Sequence, residues 1–515
     1  MSMPTPTPAQ PQGDATVDGD QSGVSTAAPR RTRRNLLWGG LLAGALVIGG
    51  GTAFAVTTLS GGGAQPDEVL PGNAIAYVRM DIDPSAGQKI AAVRLLRKLP
   101  QVNDAVAGGG DPRQKLFDSL QKDSADLKKV SYEQDIKPWL GDRLGVAVMP
   151  SEKSGDVNVA LAVQLKDEEK AKAGLDKLMS VEEGNAGDSD VAFRDGYALL
   201  TEKGRGADLS AALDKGTLAA NTTYAQDMKA LGEQGVLSGW TDASRAMKLA
   251  QAKSGQSTPA AVENAFDKAG RLAFALRFDA SYLELAGIGR GAKGLTATAG
   301  QPSTVAQLPA DTAVAVSVAN AGEAVGSAWG QIMQSTEGMG PQVKEQVDGL
   351  EQQLGLSLPQ DLQTLLGKRL LLALPEQELG GSTMPEAGLR VTTDAAKAES
   401  IVGKLEKLAG DQGSELPVVH RAQGDAFYLA TSPGYLDALS AKGTLGQDEG
   451  FTLAVPDAGK EQLAAYVSLD RVEKLYLDRV PSQQREFVKA LRSVGVMASS
   501  DGKGGSTFSL RLVGN

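Results

Sequence analysis

The sequence predicts an α+β protein: two tandem copies of a largely antiparallel sheet with helices packed on one face, preceded by a disordered tail and one transmembrane helix. Three observations carry this. Blocks of residues recur at an offset of 226 or 227 positions, apolar residues alternate with period two in runs bounded by turn residues, and an uncharged stretch follows an arginine cluster near the amino terminus. The expected segments are a cytoplasmic tail (1–34), a transmembrane helix or uncleaved signal anchor (35–59), a linker (60–66), a first repeat (67–288), a second linker (289–304) and a second repeat (305–515).

The first 29 residues are rich in Pro, Gly, Ser, Thr and Gln and have almost no large apolar side chain. Such a segment cannot repay the entropy of folding. Arg30 to Arg34 then read RRTRR, and Leu36 to Leu59 contain no charged residue. At about 1.5 Å per helical residue this stretch reaches roughly 36 Å, enough to cross a bilayer core with some tilt. The arginines place the amino terminus in the cytoplasm and the rest outside. A second reading stands beside this one. Thr32-Arg33-Arg34-Asn35-Leu36-Leu37 resembles a twin-arginine export signal and Ala53-Phe54-Ala55 a cleavage site, which would release a secreted protein after Ala55.

The repeat is legible element by element. Val69 to Asp83 parallels Gln307 to Asn320, each a Leu-Pro turn leading into an alternating strand. Asp135 to Pro150 parallels Asp361 to Glu376, sharing Asp135/Asp361, Gly141/Gly367 and Arg143/Arg369. The capping reading makes Asp the start of a short helix, Gly its left-handed end and Arg the first residue of the next strand. Val157 to Met179 and Met384 to Leu408 each read as a strand followed by an amphipathic helix, with Asp167 and Asp394 near the helix start. Asp190 to Glu202 and Val418 to Ser432 read as hairpins. Lys215-Gly216-Thr217-Leu218 recurs as Lys442-Gly443-Thr444-Leu445, and Gly270 to Gly287 and Ser493 to Val513 read as closing hairpins.

The chain has no cysteine and one histidine, His420, which excludes disulfides, thiolate metal sites, cysteine nucleophiles and two-histidine zinc sites. No metal and no cofactor is expected. The net charge of -10 divides into +1 for the first 34 residues and -11 for the remainder, so nucleic acid is not an expected partner. Asp81-Ile82-Asp83-Pro84-Ser85 starts like a calcium loop but has Ala86 and Ala92 at its sixth and twelfth positions. Gly289-Arg290-Gly291-Ala292-Lys293-Gly294 has the spacing of a dinucleotide fingerprint, yet the following LTATAGQPST cannot open the helix that would hold a pyrophosphate. By the 227-residue offset His420 lies opposite Phe193, in a strand, with no marked nucleophile. Asp and Glu are abundant, but nothing singles out a catalytic pair.

The opening LPGNAIAYVRMDIDPSAGQKIAAVRLLRKLP, the PWLGDR segment, the single uncharged span and the alanine-rich composition resemble actinobacterial envelope proteins carrying domain of unknown function 3352. The resemblance implies a membrane-anchored protein without an established activity, and no catalytic residues. The expected function is therefore a non-catalytic extracytoplasmic module, integral to the membrane through one span, that binds an envelope protein, lipid or wall polymer. The alternative is an anchored or secreted hydrolase using carboxylates or a Ser-Lys pair.

Overall fold

The computed structural model describes residues 63–82, 84–98, 111–123, 126–151, 156–181, 189–254, 268–292, 303–336, 342–378, 384–414 and 416–515. The tail 1–34, the uncharged run 35–59 and Asp83 lie outside the described residues. Among those described, no helix is long and apolar enough to cross a membrane.

In the first half β1 (Ala76–Asp81) is followed by α1 (Ala86–Arg97) and α2 (Pro112–Asp123) before β2 (Leu140–Pro150) and β3 (Val157–Leu165). Then come α3 (Glu168–Val181), the hairpin β4 (Ser189–Arg194) and β5 (Tyr197–Glu202), and α4 (Gly206–Asp214) and α5 (Thr222–Leu231). β6 (Leu237–Asp242) leads through α6 (Ala243–Ser254) to the hairpin β7 (Arg271–Phe278) and β8 (Tyr282–Arg290). The second half opens with β9 (Thr312–Ala319), α7 (Ala321–Thr336), α8 (Gln342–Leu354), α9 (Gln360–Leu366) and β10 (Arg369–Pro375). β11 (Gly388–Thr392) and α10 (Ala395–Asp411) precede the hairpin β12 (Val419–Gln423) and β13 (Ala426–Ala430). The chain closes with α11 (Pro433–Ser440), α12 (Glu449–Ala454), β14 (Leu463–Ser468), α13 (Leu469–Tyr476), α14 (Ser482–Lys489), β15 (Leu491–Ser500) and β16 (Ser506–Gly514).

All sixteen strands join one sheet in the order β12-β13-β11-β10-β9-β14-β15-β16-β8-β7-β6-β1-β2-β3-β5-β4. Outward from the central β8–β16 pair, each half meets its strands in the same relative order, last strand first and its small hairpin outermost. The β8–β16 pairing is antiparallel and runs from Ser506 opposite Gly289 to Val513 opposite Tyr282. Glu284, buried on this seam, accepts hydrogen bonds from Ser509 Oγ (2.8 Å) and Arg511 Nε (3.0 Å) and lies 3.6 Å from Arg277 Nη1. The outermost strands β4 and β12 are short and carry Asp190, Arg194, His420 and Arg421, features that blunt edge-to-edge association.

Helices cover both faces, which corrects the one-face expectation. Ala160 and Ala162 of β3 belong to a core with Leu209 and Leu213 of α4 and Tyr224 and Met228 of α5. The intervening Leu161 and Val163 point the other way and pack against Ala171 and Leu175 of α3. The unbroken run Val-Ala-Leu-Ala-Val carries the signature of a strand buried on both sides. In the second half Tyr428 packs with Tyr435 and Leu439 of α11, while its neighbour Phe427 packs with Ala398 and Val402 of α10.

The repeated residues have definite jobs. Leu218 N donates to Leu70 O (2.7 Å) and Leu445 N to Leu308 O (3.0 Å), so each Lys-Gly-Thr-Leu segment is hydrogen-bonded to the Leu-Pro turn of its own half. Asp167 and Asp394 cap α3 and α10 by accepting from Lys170 N and Lys397 N, both at 3.1 Å. Asp135 and Asp361 reach back four residues to Ser131 N (2.8 Å) and Ser357 N (2.9 Å), and each also meets a lysine, Lys177 or Lys397.

The glycine expectation holds at one site only. Gly367 has φ 61° and ψ -166°, a region essentially restricted to glycine, whereas Gly141 lies inside β2 without a positive φ. Gly141 is small because a Cβ there would stand 2.7 Å from the Gln164 carbonyl oxygen of β3. Gly367→Ala is expected to lose about 1–3 kcal/mol through backbone strain. Gly141→Ala should destabilise by pushing β3 away and breaking the Asp142 N to Gln164 Oε1 hydrogen bond. Urea denaturation of both variants checks this, and wild-type stability in either would contradict its account.

Candidate functional site

The densest buried charge forms where the chain joins the sheet. β1 alternates, sending Tyr77, Arg79 and Asp81 to the interior face, and β2 sends Arg143, Gly145 and Ala147 to the same face. Asp81 stands directly opposite Arg143 in the strand register, so unlike charges meet side by side. Arg143 Nε lies 3.2 Å and Arg79 Nη2 3.5 Å from Asp81 Oδ2. Arg79, Asp81 and Arg143 are only 9%, 4% and 4% exposed, so this is an ion-pair cluster removed from water.

One carboxylate between two guanidiniums leaves one positive charge within the trio, and both arginines also donate to neutral oxygens. Arg79 donates to Gln65 Oε1 and Gln234 Oε1 (both 3.1 Å) and to Gly235 O (3.3 Å). Arg143 Nη1 donates to Gly63 O (3.0 Å) and Ala64 O (3.4 Å), and Tyr197 Oη donates to Ala64 O (2.7 Å). Burial pushes the Tyr197 phenol up, which keeps it a proton donor. The cluster is arranged to hold residues 63–65 against β1, β2 and β5. Residues 63–66 of the expected linker are thus tied into the fold.

The second half fills the equivalent register positions differently. Arg369 stands opposite Ala319, and Ser317 occupies the place two residues earlier. Arg369 Nη1 donates to Ser317 Oγ (2.9 Å), which also accepts from Ser303 Oγ (3.0 Å). Ser317, Ala319 and Arg369 again sum to one positive charge. The serine thus ties the opening segment of this half to the sheet, as the charged cluster does in the first.

A second polar cluster lies at the start of β2. Arg113 grips Asp111 through Nε (2.9 Å) and Nη2 (2.8 Å), reaches Leu140 O (3.0 Å), and lies 3.3 Å from Asp142. Tyr132 Oη donates to Asp111 Oδ2 (2.7 Å). Burial alone would raise the Asp111 carboxyl, but these hydrogen bonds outweigh it and hold it at about 2.

Within the first-half core, Tyr77, Tyr224 and Trp240 stack edge-on with centroids 5.7 Å apart at each step. Tyr224 Oη donates to Asp67 (3.1 Å), whose carboxyl burial pushes above its ordinary value. Acid and phenols are all internal, so this is a core column. In the second half a hollow of about 410 Å³ beside α12 is lined by Ala306, Phe451, Val455, Ala458 and Asp457, with no convergence of charged groups.

The residues singled out by motif fall elsewhere. Asp81 is committed to its two arginines, so the calcium-loop start is an ion pair. Gly289 and Arg290 close β8, with Gly289 opposite Leu272 and Ser506, so the first two residues of the glycine fingerprint and of the expected second linker are strand, and Lys293 and Gly294 lie outside the described residues. His420 sits on β12 with Nε2 3.3 Å from Glu406 and its ring 5.8 Å from that of Phe427. The hairpin register makes Val191, and not Phe193, its first-half counterpart: the two small hairpins turn at Asp195-Gly196 and Gly424-Asp425, which shifts the alignment by two. Sequence reading assigned Arg143 to a strand start and missed Arg79, Gln65 and Gln234. The available signal was a charged pair at alternate positions of an otherwise apolar strand.

A family model described as "Protein of unknown function (DUF3352)" matches residues 37–226, from within the uncharged run to the middle of α5. No curated protein matches the chain. The solved structure described as "Structure of crystal form III of TP0453" aligns with 45% of this chain and 81% of its own at 10% identity, with a TM-score of 0.23, too loose to bear on fold or function.

Asp81→Ala alone should cost about 3–5 kcal/mol, because it leaves two buried guanidiniums facing each other. The double variant Arg79→Ser, Asp81→Ala, which writes the second-half residues into the first, should cost markedly less; chemical denaturation decides, and equal losses would refute the charge-balance reading. Asp111→Asn should destabilise at neutral pH. Because the Asp111 carboxyl is held low, at about 2, its stabilisation exists above the ordinary carboxylate value of about 4 and is lost as pH falls between them. The gap between wild type and Asp111→Asn in thermal melts should close over that window.

Proposed function

We propose that the chain is a single-pass membrane protein, amino terminus inside, whose extracytoplasmic part is a non-catalytic module that binds an envelope partner through an apolar patch near the middle of the sheet. In this reading residues 67–288 and 305–515 are two copies of one unit. The matching strand order about the seam and the paired contacts of the Lys-Gly-Thr-Leu segments support that origin.

The observation that carries the binding role is the surface around Leu272 and Phe508. These side chains are 47% and 38% exposed, large apolar groups on β7 and β16, the two strands that flank β8 in the middle of a wide sheet. They share one face with Phe274, since Phe508 and Phe274 both lie opposite Gly287 and Leu272 lies opposite Gly289. The Phe274 ring occupies the space a side chain on Gly239 would need, and the Phe508 ring that of Gly287. Rings seated over glycines make a continuous apolar area, the kind of surface that marks an interaction site. The apolar chemistry favours a protein or lipid partner over a hydrophilic wall polymer.

A photo-reactive phenylalanine analogue placed at Phe508 in the full chain should form a discrete adduct in intact cells, and the same group at Gln423 on β12 should not. No adduct at Phe508, or equal adducts at both, would remove the proposed surface. Cell fractionation with external protease checks the topology: membrane-bound and digestible from outside is expected, whereas a soluble form beginning near Val56 would establish the cleaved-signal alternative.

A further inference from the structure

The segment that follows the uncharged run is fastened to the sheet almost at once. Gly63 and Ala64 are held by Arg143, Ala64 also by Tyr197, and Gln65 by Arg79. Pro66 is buried, Val69 and Leu70 are fully enclosed, and a side chain on Gly145 would collide with Pro66. Three residues, Ser60 to Gly62, separate Leu59 from the first fastened residue. Four steps of extended chain span at most about 14 Å.

We infer that the first half is mounted end-on against the lipid head groups, with the strand ends that hold Gly63 turned to the bilayer. This rests on the membrane-anchored reading. The near edge carries the start of β2 and the end of β3, with Asp142 and half-exposed Lys166, polar groups suited to a head-group layer. Helices cover the strands nearest the fastened segment on both faces, α4 and α5 on one and α3, with exposed Glu168, Lys170 and Lys172, on the other, and the exposed apolar side chain Leu272 lies towards the far strand ends. β2 runs for 11 residues, so its far end stands about 34 Å further out at roughly 3.4 Å per residue. Leu272 aligns through Thr241 and Ala76 with Val148, near that far end. The mount therefore carries the apolar patch away from the membrane of its own chain and towards the envelope space.

The absence of cysteine makes single-site labelling direct. Lys166→Cys reports the near edge and Lys203→Cys, just past the far end of β5, the distal one. Each is labelled with a fluorophore in the full chain reconstituted into vesicles whose head groups carry a nitroxide quencher. Most of the emission should be lost at position 166 and little at 203. Inserting twelve Gly/Ser residues between Gly62 and Gly63, which leaves the folded part intact, should restore emission at 166. Equal quenching at the two positions, or no effect of the insertion, would overturn the rigid mount while leaving the anchor standing. Failure of the chain to float with the vesicles would overturn the anchor and the mount together.

Discussion

The β8–β16 pairing is the constraint on which the rest depends. Without it the chain would form two separate sheets, each ending in a long apolar strand with unsatisfied backbone groups along one side. Pairing those two strands removes both edges at once and leaves only the short, charged β4 and β12 exposed. Register at the seam is fixed by side chains as well as by backbone. Glu284 lies opposite Arg277 on one side and Arg511 on the other, and Arg511 also lies 4.2 Å from the Tyr282 ring centroid. A slip of one residue would turn Glu284 to the opposite, apolar face of the sheet, a strong penalty against any other register.

The same device appears where the chain joins the sheet: Arg79, Asp81 and Arg143 place a carboxylate between two guanidiniums on adjacent strands. In both places the buried guanidiniums also donate to neutral oxygens, backbone carbonyls and, at Arg79, side-chain amides. Such clusters contribute little net stability against an apolar equivalent but penalise alternatives heavily. Their natural role in this fold is positional. One aligns the two halves and the other holds residues 63–65 against the sheet. The apolar patch at Leu272 and Phe508 borders the seam, so its shape depends on the first constraint.

Part of the architecture was legible in the sequence because turn and capping residues declare local backbone needs. The Leu-Pro turns, the Lys-Gly-Thr-Leu segments and the capping residues Asp167 and Asp394 all do in space what their spacing announced. The helix arrangement was not legible in the same way, because alanine-rich strands such as β3 bury both faces without a strong alternation of large and small polarity. The charge clusters were hidden for another reason. Arg79 and Asp81 look like solvent-facing residues of an amphipathic strand until the register with β2 and β6 encloses them. Gly141 was misjudged because close strand approach and a left-handed turn both select glycine, and only the backbone angle separates the two causes. The apolar patch depends on rings from β7 and β16 settling over glycines of β6 and β8, and the match of Phe508 to Gly287 joins positions more than 200 residues apart, which no local pattern encodes.

The central claim is that the two halves form one continuous sheet through β8 and β16, and amide hydrogen exchange along those strands tests it most directly. Seam amides in 283–288 and 507–512 should exchange as slowly as those of the interior strands β1 and β9, through the same cooperative opening. Exchange along the seam as fast as in the outermost strands β4 and β12, with β1 and β9 remaining protected, would show two independent sheets and contradict the account.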